Sequence, residues 1–203
     1  MYPASAIANH LIQLAELRGV PLQGAQLQTL VYLAHGLRLA MMSEALLDAP
    51  VFANQEGVVI AALNVNGVLG EAPVTRPITE IVQRPHGLLD EVVPVLRPDD
   101  PVHATIEETW SRFGGWSASA LRNFVQTPGG PWNDTWNSPE RLMGRYNTTL
   151  TLAWHLPPEP ERPVVIANSL IRSWFRDFVI QNLRSRAAAD GLEETTRISS
   201  YRA

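Results

Sequence analysis

Cysteine is absent from all 203 residues. No disulfide framework, zinc–thiolate site or thiol nucleophile can therefore be built. Long apolar runs are missing too. The best candidate, residues 21–42, is interrupted by Gln28, His35 and Arg38, and falls short of the roughly 18 uninterrupted apolar residues of a membrane span. The opening string MYPASAIANHLIQLAELRG has no basic segment ahead of an apolar core, so no signal peptide is indicated and a cytoplasmic protein is expected. Basic charge is in short supply. Sixteen Lys and Arg against twenty Asp and Glu leave a net charge of -4, and only Arg172, Arg176, Arg184 and Arg186 cluster. A phosphate-tracking surface gains its affinity from a basic face, so neither nucleic acid nor a membrane is an expected partner.

Catalytic signatures are missing as well. His10, His35, His86, His103 and His155 are scattered and form no HExxH pair, no serine sits in a GxSxG elbow, and the Gly pairs at 114 and 129 lack the Lys-Ser/Thr ending of a phosphate loop. Of the paired acids, Asp99 with Asp100 suits helix capping, and Glu107 with Glu108 a solvated helix face. The chain is expected to be no enzyme, with no cofactor and no metal. His35 reads as a core histidine held by a hydrogen-bonding partner, because buried polar groups are normally paired.

What is present is helical patterning. An apolar share of 45% with 18% charged residues is a globular composition. In Pro21–Met42, the residues Leu27, Leu30, Val31, Ala34, Leu37 and Met41 recur at three-and-four spacing, with Leu33, Leu39 and Ala40 on the flanks, as in a central helix covered on both sides. Ala4–Arg18 reads as an amphipathic helix with Ile7, Leu11, Leu14 or Ala15, and Leu17 inward and Asn9, Gln13 and Glu16 outward, stopped at Gly19. The two should form a hairpin.

Farther on, Ser43–Phe52 relaxes into a turn and a short extended piece, and Gly70–Pro98 reads as an irregular connection with one short helix over Ile78–Gln83. Asp100 and Pro101 open a helix carrying Val102, Ile106, Trp110 and Phe113, and Ser117 caps another with Leu121, Phe124 and Val125. Trp116, Trp132 and Trp136 fall in Gly- and Asn-rich loops, where at least one is expected at the surface. Residues 137–163 read as an insertion, with a strand or hairpin arm at 146–156 and a polyproline-like spacer. A final helix should direct Ile166, Leu170, Trp174, Phe178 and Leu183 to the core. The expected architecture is a mainly α, compact helical domain around a central buried helix, with small β elements near residues 49–60 and 146–156. It occupies residues 1–185, and residues 186–203 form a polar tail.

The string LQTLVYLAHGLRLA, with Leu27, Gln28, Leu30, Tyr32, Ala34, His35, Gly36, Leu39 and Ala40 in register, resembles the signature helix of the SocA-like antitoxins, the Panacea domain. Pro131 and Trp132 resemble a second landmark of that family, and Gly57, Val59 and Leu63 align with a third. The match departs in two places. Asn54, Gln55, Glu56 and Val58 replace an aromatic, basic, Tyr and Pro string, and Thr127 stands where the family carries a histidine.

The resemblance implies a bacterial antitoxin or immunity protein that binds a cognate protein toxin or effector, encoded by an adjacent gene, and occludes its active site. Two alternatives stand beside that reading: an adaptor antitoxin that delivers the toxin to a protease, with the C-terminal tail as handle, and, of another class, a small ligand-binding protein or enzyme using His35 and neighbouring polar groups. Family divergence should concentrate where partners differ, which marks Asn54, Gln55, Glu56, Trp132, Asp134 and Trp136 as the expected partner-binding residues. Tyr32, His35, Gly36, Gly57, Pro131 and Trp132 are the expected family-motif core.

Overall fold

In the computed structural model, residues 1–64, 74, 76–83, 89–139, 141 and 163–200 are described. Two helices begin the chain: α1, Ala4–Arg18, and α2, Gly24–Met42. A β-hairpin follows, β1 at Val51–Asn54 and β2 at Gly57–Ile60, then one turn of helix, α3 at Ala61–Asn64. A second hairpin pairs β3, Glu80–Gln83, with β4, Leu89–Val92. Helices α4, Val102–Phe113, α5, Ala118–Val125, and α6, Pro131–Trp136, lead to the two-residue strand β5, Val164–Val165, and to the long helix α7, Asn168–Ser200. The first sheet has the order β2-β1-β5 with antiparallel neighbours. The molecule is mainly α with a small β element, as expected.

α2 is the axis. It is buried on every side from Leu30 to Leu37, because α1, α4, α5, α7 and β2 all pack on it. A helix apolar all round is one that other elements surround. Its N-terminus carries a capping box, with Gln23 and Gln26 satisfying each other's backbone N–H groups. At its far end, Met41, expected inside, is 52% exposed, since the last turn projects beyond the elements that cover the rest.

α1 has the expected bounds, but its first six residues, Ala4–Asn9, are buried on every side, followed by Leu11, Ile12, Leu14 and Ala15, while Gln13 faces outward as expected. Two side chains depart from the expected faces. Leu17 is 80% exposed, and Asn9, expected outside, is buried. The Asn9 amide donates to the carbonyls of Ile78 and Pro94 at 3.0 and 2.9 Å, and its Oδ1 accepts from Ile78 N at 2.7 Å. A buried amide is tolerable when its donors and acceptor are all engaged, and here it ties both flanks of the second hairpin to α1. That hairpin replaces the short helix expected over Ile78–Gln83: paired strands satisfy the backbone at this edge, a long-range outcome that local pattern does not signal.

The caps on the middle helices follow the expected residues. Asp100 accepts from Val102 N at 3.3 Å and also from the Tyr2 hydroxyl, which fastens the N-terminal strap to the start of α4. The Tyr2 hydrogen bond holds the Asp100 carboxyl below the usual carboxylate range. Ser117 Oγ accepts from Ala120 N at 3.2 Å at the start of α5. Trp132 and Trp136 lie in helix α6, with Pro131 at its first position, and not in a loop.

In α7 the inward face is Ile171 and Phe175, both fully buried, flanked by Trp174 and Phe178, while Leu183 is 58% exposed. Of the expected set, Ile166 is buried and Trp174 and Phe178 pack against the core, while the centre of the face is Ile171 and Phe175. Phe175 takes the central place because Gly36 of α2 leaves room for it. The backbone of α7 continues through residues 186–200, the stretch expected as a polar tail. The arm expected at 146–156 and the spacer after it lie outside the described residues.

A Cβ placed on Gly36 would stand 2.3 to 2.5 Å from the Phe175 ring. The Gly36→Ala variant should therefore lose about 1–3 kcal/mol from overpacking, despite the better helix propensity of alanine. A Gly36→Ala/Phe175→Leu double variant should recover part of the loss. Urea denaturation measures both, and equal stability of Gly36→Ala and the parent would contradict this packing.

Candidate functional site

The string that carries the resemblance is an assembly device. Gln28 Oε1 accepts from Ile60 N at 2.9 Å, which holds the end of β2 against α2. Tyr32 meets Phe175 edge to face with ring centroids 5.7 Å apart, and Gly36 receives the same ring. Burial pushes the Tyr32 hydroxyl pKa well above its ordinary value.

His35, with 1% exposure, is held at both ring nitrogens. Nδ1 accepts from Leu47 N at 3.3 Å, so the proton belongs on Nε2, which donates to Asn168 Oδ1 at 3.0 Å. Burial lowers the pKa of His35, and the Asn168 hydrogen bond opposes that shift in part. His35 is a core histidine, as the patterning suggested, joining the loop before β1 to the start of α7. With both nitrogens engaged in structural bonds, it has no lone pair to offer a ligand.

The tip of the first hairpin and α6 form a second unit. Asn54 Oδ1 accepts from Glu56 N at 3.0 Å and Gly57 N at 2.9 Å, a side-chain turn that closes the hairpin. Gly57 has φ 144, a region that side-chain-bearing residues avoid. Trp132 Nε1 donates to the carbonyls of Asn54 and Gly57 at 3.0 and 2.9 Å. Trp136 stacks on Trp132 with centroids 6.2 Å apart, and Arg141 lies 3.3 Å over the Trp136 ring while its Nη1 donates to Trp136 O at 2.7 Å.

The structure thus brings the expected residues of the turn and of α6 together, and sorts them. Gln55, Glu56 and Asp134 are exposed, Asn54 is half-buried, and Gly57, Pro131, Trp132 and Trp136 are buried. Trp132 and Trp136 are the buried support beneath the turn, and of the three tryptophans expected in loops Trp116 is the exposed one. Asn168 and Asn9 were not singled out from sequence. Asn9 differs from an ordinary surface asparagine by its burial, and Asn168, itself exposed, by its hydrogen bond to His35; both depend on the fold.

Thr127, at the position of the missing histidine, is exposed, and its hydroxyl donates to Asn123 O at 3.2 Å. Among the described residues, no group of three or more His, Asp or Glu side chains is placed to hold a metal ion. No helix among them is long and apolar enough to cross a membrane.

Two outcomes follow from this geometry. Trp132→Phe leaves two carbonyls at the turn without their indole donor and should cost about 1–3 kcal/mol, read as a lowered urea midpoint. His35 and His10 both have lowered pKa values, each chiefly through burial. Their folded forms resist protonation, so the stability tied to them is complete above the ordinary value of 6.5 and is lost as pH falls below it. The urea midpoint should drop between pH 7.5 and 5.5, and drop less in His35→Gln; a midpoint equal at both pH values would contradict the assignment.

The chain is 29% identical over 147 residues to the protein named Antitoxin SocA of Caulobacter vibrioides (strain NA1000 / CB15N), a match covering 70% of this chain and 74% of that protein. No family model matches the chain, and no solved structure matches it.

Proposed function

We propose that this protein is an antitoxin that binds a cognate protein toxin, encoded by an adjacent gene, and silences it by occlusion. The similarity to Antitoxin SocA, which spans most of both chains, is the observation that carries this reading. The geometry supports it. The residues of the signature string are consumed in holding the fold, and both nitrogens of His35 are committed to it. Chemistry at His35, the basis for an enzyme, has no free group to work with.

The contact surface we assign is the hairpin tip, Gln55 and Glu56, with Asp134 of α6. These side chains are exposed on a turn pinned from below by Trp132. A turn held at both its carbonyls and its amides is ordered before the partner arrives, so little conformational entropy remains to be lost on binding. Two acids and an amide suit a basic or polar rim on the toxin.

Co-expression with the adjacent gene product, followed by affinity capture and a growth assay, tests the reading. A stable complex that restores growth while the toxin level stays constant is the expected result; growth restored with the toxin depleted would point to delivery, and no complex would overturn the antitoxin reading. Glu56→Arg should weaken the complex about tenfold, roughly 1.4 kcal/mol, without moving the urea midpoint. Unchanged affinity would remove the hairpin tip from the interface.

A further inference from the structure

The outer face of α7 carries a pattern that the fold does not use. Ser169, Ser173, Arg176, Ile180 and Leu183 follow one another at spacings of four, three, four and three, the seam spacing of a helix that pairs with another helix. All five are exposed, with Ile180 and Leu183 at 37% and 58%. Beside them Arg172 and Arg176 stand one turn apart. The two serines leave a shallow open depression of about 390 Å³, lined by Ser169, Arg172, Ser173, Arg176, Asp177 and Ile180. Small side chains at one end of the seam and apolar ones at the other are what a docked helix requires: close approach first, then buried area.

The charges identify the occupant. In a chain of net charge -4, the described side chains of α7 include Arg172, Arg176 and Arg184 against the single acid Asp177. Among the described residues, none of these three arginines forms an ion pair, whereas Arg38 pairs with Glu44 and Arg112 with Glu108. Every basic residue of the chain is an arginine, whose planar fork matches a carboxylate through two hydrogen bonds. A second copy of α7 does not complement this face. Parallel pairing sets each arginine beside its twin, and antiparallel pairing about the middle of the seam sets Arg176 against Arg176.

The length of α7 also asks for a partner. Asn168 meets His35, Phe175 lies between Gly36 and Tyr32, and Phe178 stacks on Phe113, whose neighbour Trp116 accepts at its carbonyl from Gln26 near the start of α2, so α7 runs antiparallel to α2. At equal rise it passes Gly24, the first residue of α2, near residue 185, and its remaining fifteen or so residues extend about 20 Å farther. A helical stretch of that length is marginal in water without packing.

We propose that this face of α7 receives an acidic amphipathic helix of the toxin, with two carboxylates one turn apart on Arg172 and Arg176 and apolar side chains on Ile180 and Leu183. The proposal rests on the antitoxin reading and adds a second contact region to the hairpin tip. The complex reconstituted with the adjacent gene product is the probe. Arg172→Glu/Arg176→Glu and Ile180→Ser/Leu183→Ser should each lower affinity at least about tenfold, with the circular dichroism and urea midpoint of the free chain unchanged, since the altered side chains are exposed. The arginine contribution should shrink as salt is raised, and replacing the facing toxin acids by arginine should restore binding to the glutamate variant. Full affinity in both variants would overturn the α7 proposal while leaving the antitoxin reading standing. Absence of any complex with the parent chain would overturn both. A free chain that dimerises and is made monomeric by Arg176→Glu would assign the face to a second copy and overturn the proposal.

Discussion

The packing of Phe175 into the space left by Gly36 is the contact on which the rest of this structure depends. It fixes the closest approach of α7 to the central helix, and the two bonds of His35 are placed by the same approach. From there the constraints spread outward. Leu47 is held on one side by His35 and its neighbours by Tyr2; Tyr2 reaches Asp100 at the start of α4; and Gln28 fastens the end of the hairpin. A motif of Gln, Tyr, His and Gly on a core helix looks like a reactive site, yet each of these residues solves a packing or hydrogen-bonding problem created by burying a helix on every side.

That division of labour explains how one scaffold can present a variable surface. Gln28, Tyr32 and His35 of α2 are spent internally, so the recognition we propose falls to elements at the edge. The first hairpin is suited to it: short, closed by Asn54, conformationally fixed at Gly57 and anchored by Trp132. Substituting the side chains at 55 and 56 changes what the turn presents without touching what holds it. Rigid display of a few exposed groups is consistent with tight binding of one partner, because the cost of ordering the loop has already been met in folding.

Much of this was legible in the chain, and the failures have physical causes. α1 and α2 announce themselves through period and stop signals, and Asp100 and Ser117 act as the caps their positions suggest. The β3–β4 hairpin was not legible: its strands are four residues each, lie among prolines, and gain their stability from pairing and from Asn9, a residue seventy positions away. α6 is too short for periodicity to show, although Pro131 at its first position was a usable sign. The centre of the inward face of α7 was not legible, because Trp174, Phe175 and Phe178 offer several apolar rows and only the vacancy at Gly36 selects Phe175 among them. At the candidate site, the turn and α6 were singled out by divergence and composition, but which members face solvent is decided by burial. The two indoles, singled out with the turn, are buried, and Trp132 holds the turn that carries Gln55 and Glu56.

Hydrogen–deuterium exchange of the chain, free and bound to the adjacent gene product, would test the central claim most directly. If α2 is scaffold and the hairpin tip is interface, the amides of residues 54–57 should gain protection on binding, while those of residues 28–36, already slow in the free chain, should not change. A change centred on residues 32–36 with residues 54–57 unaffected would contradict the claim and return the signature string to the binding site.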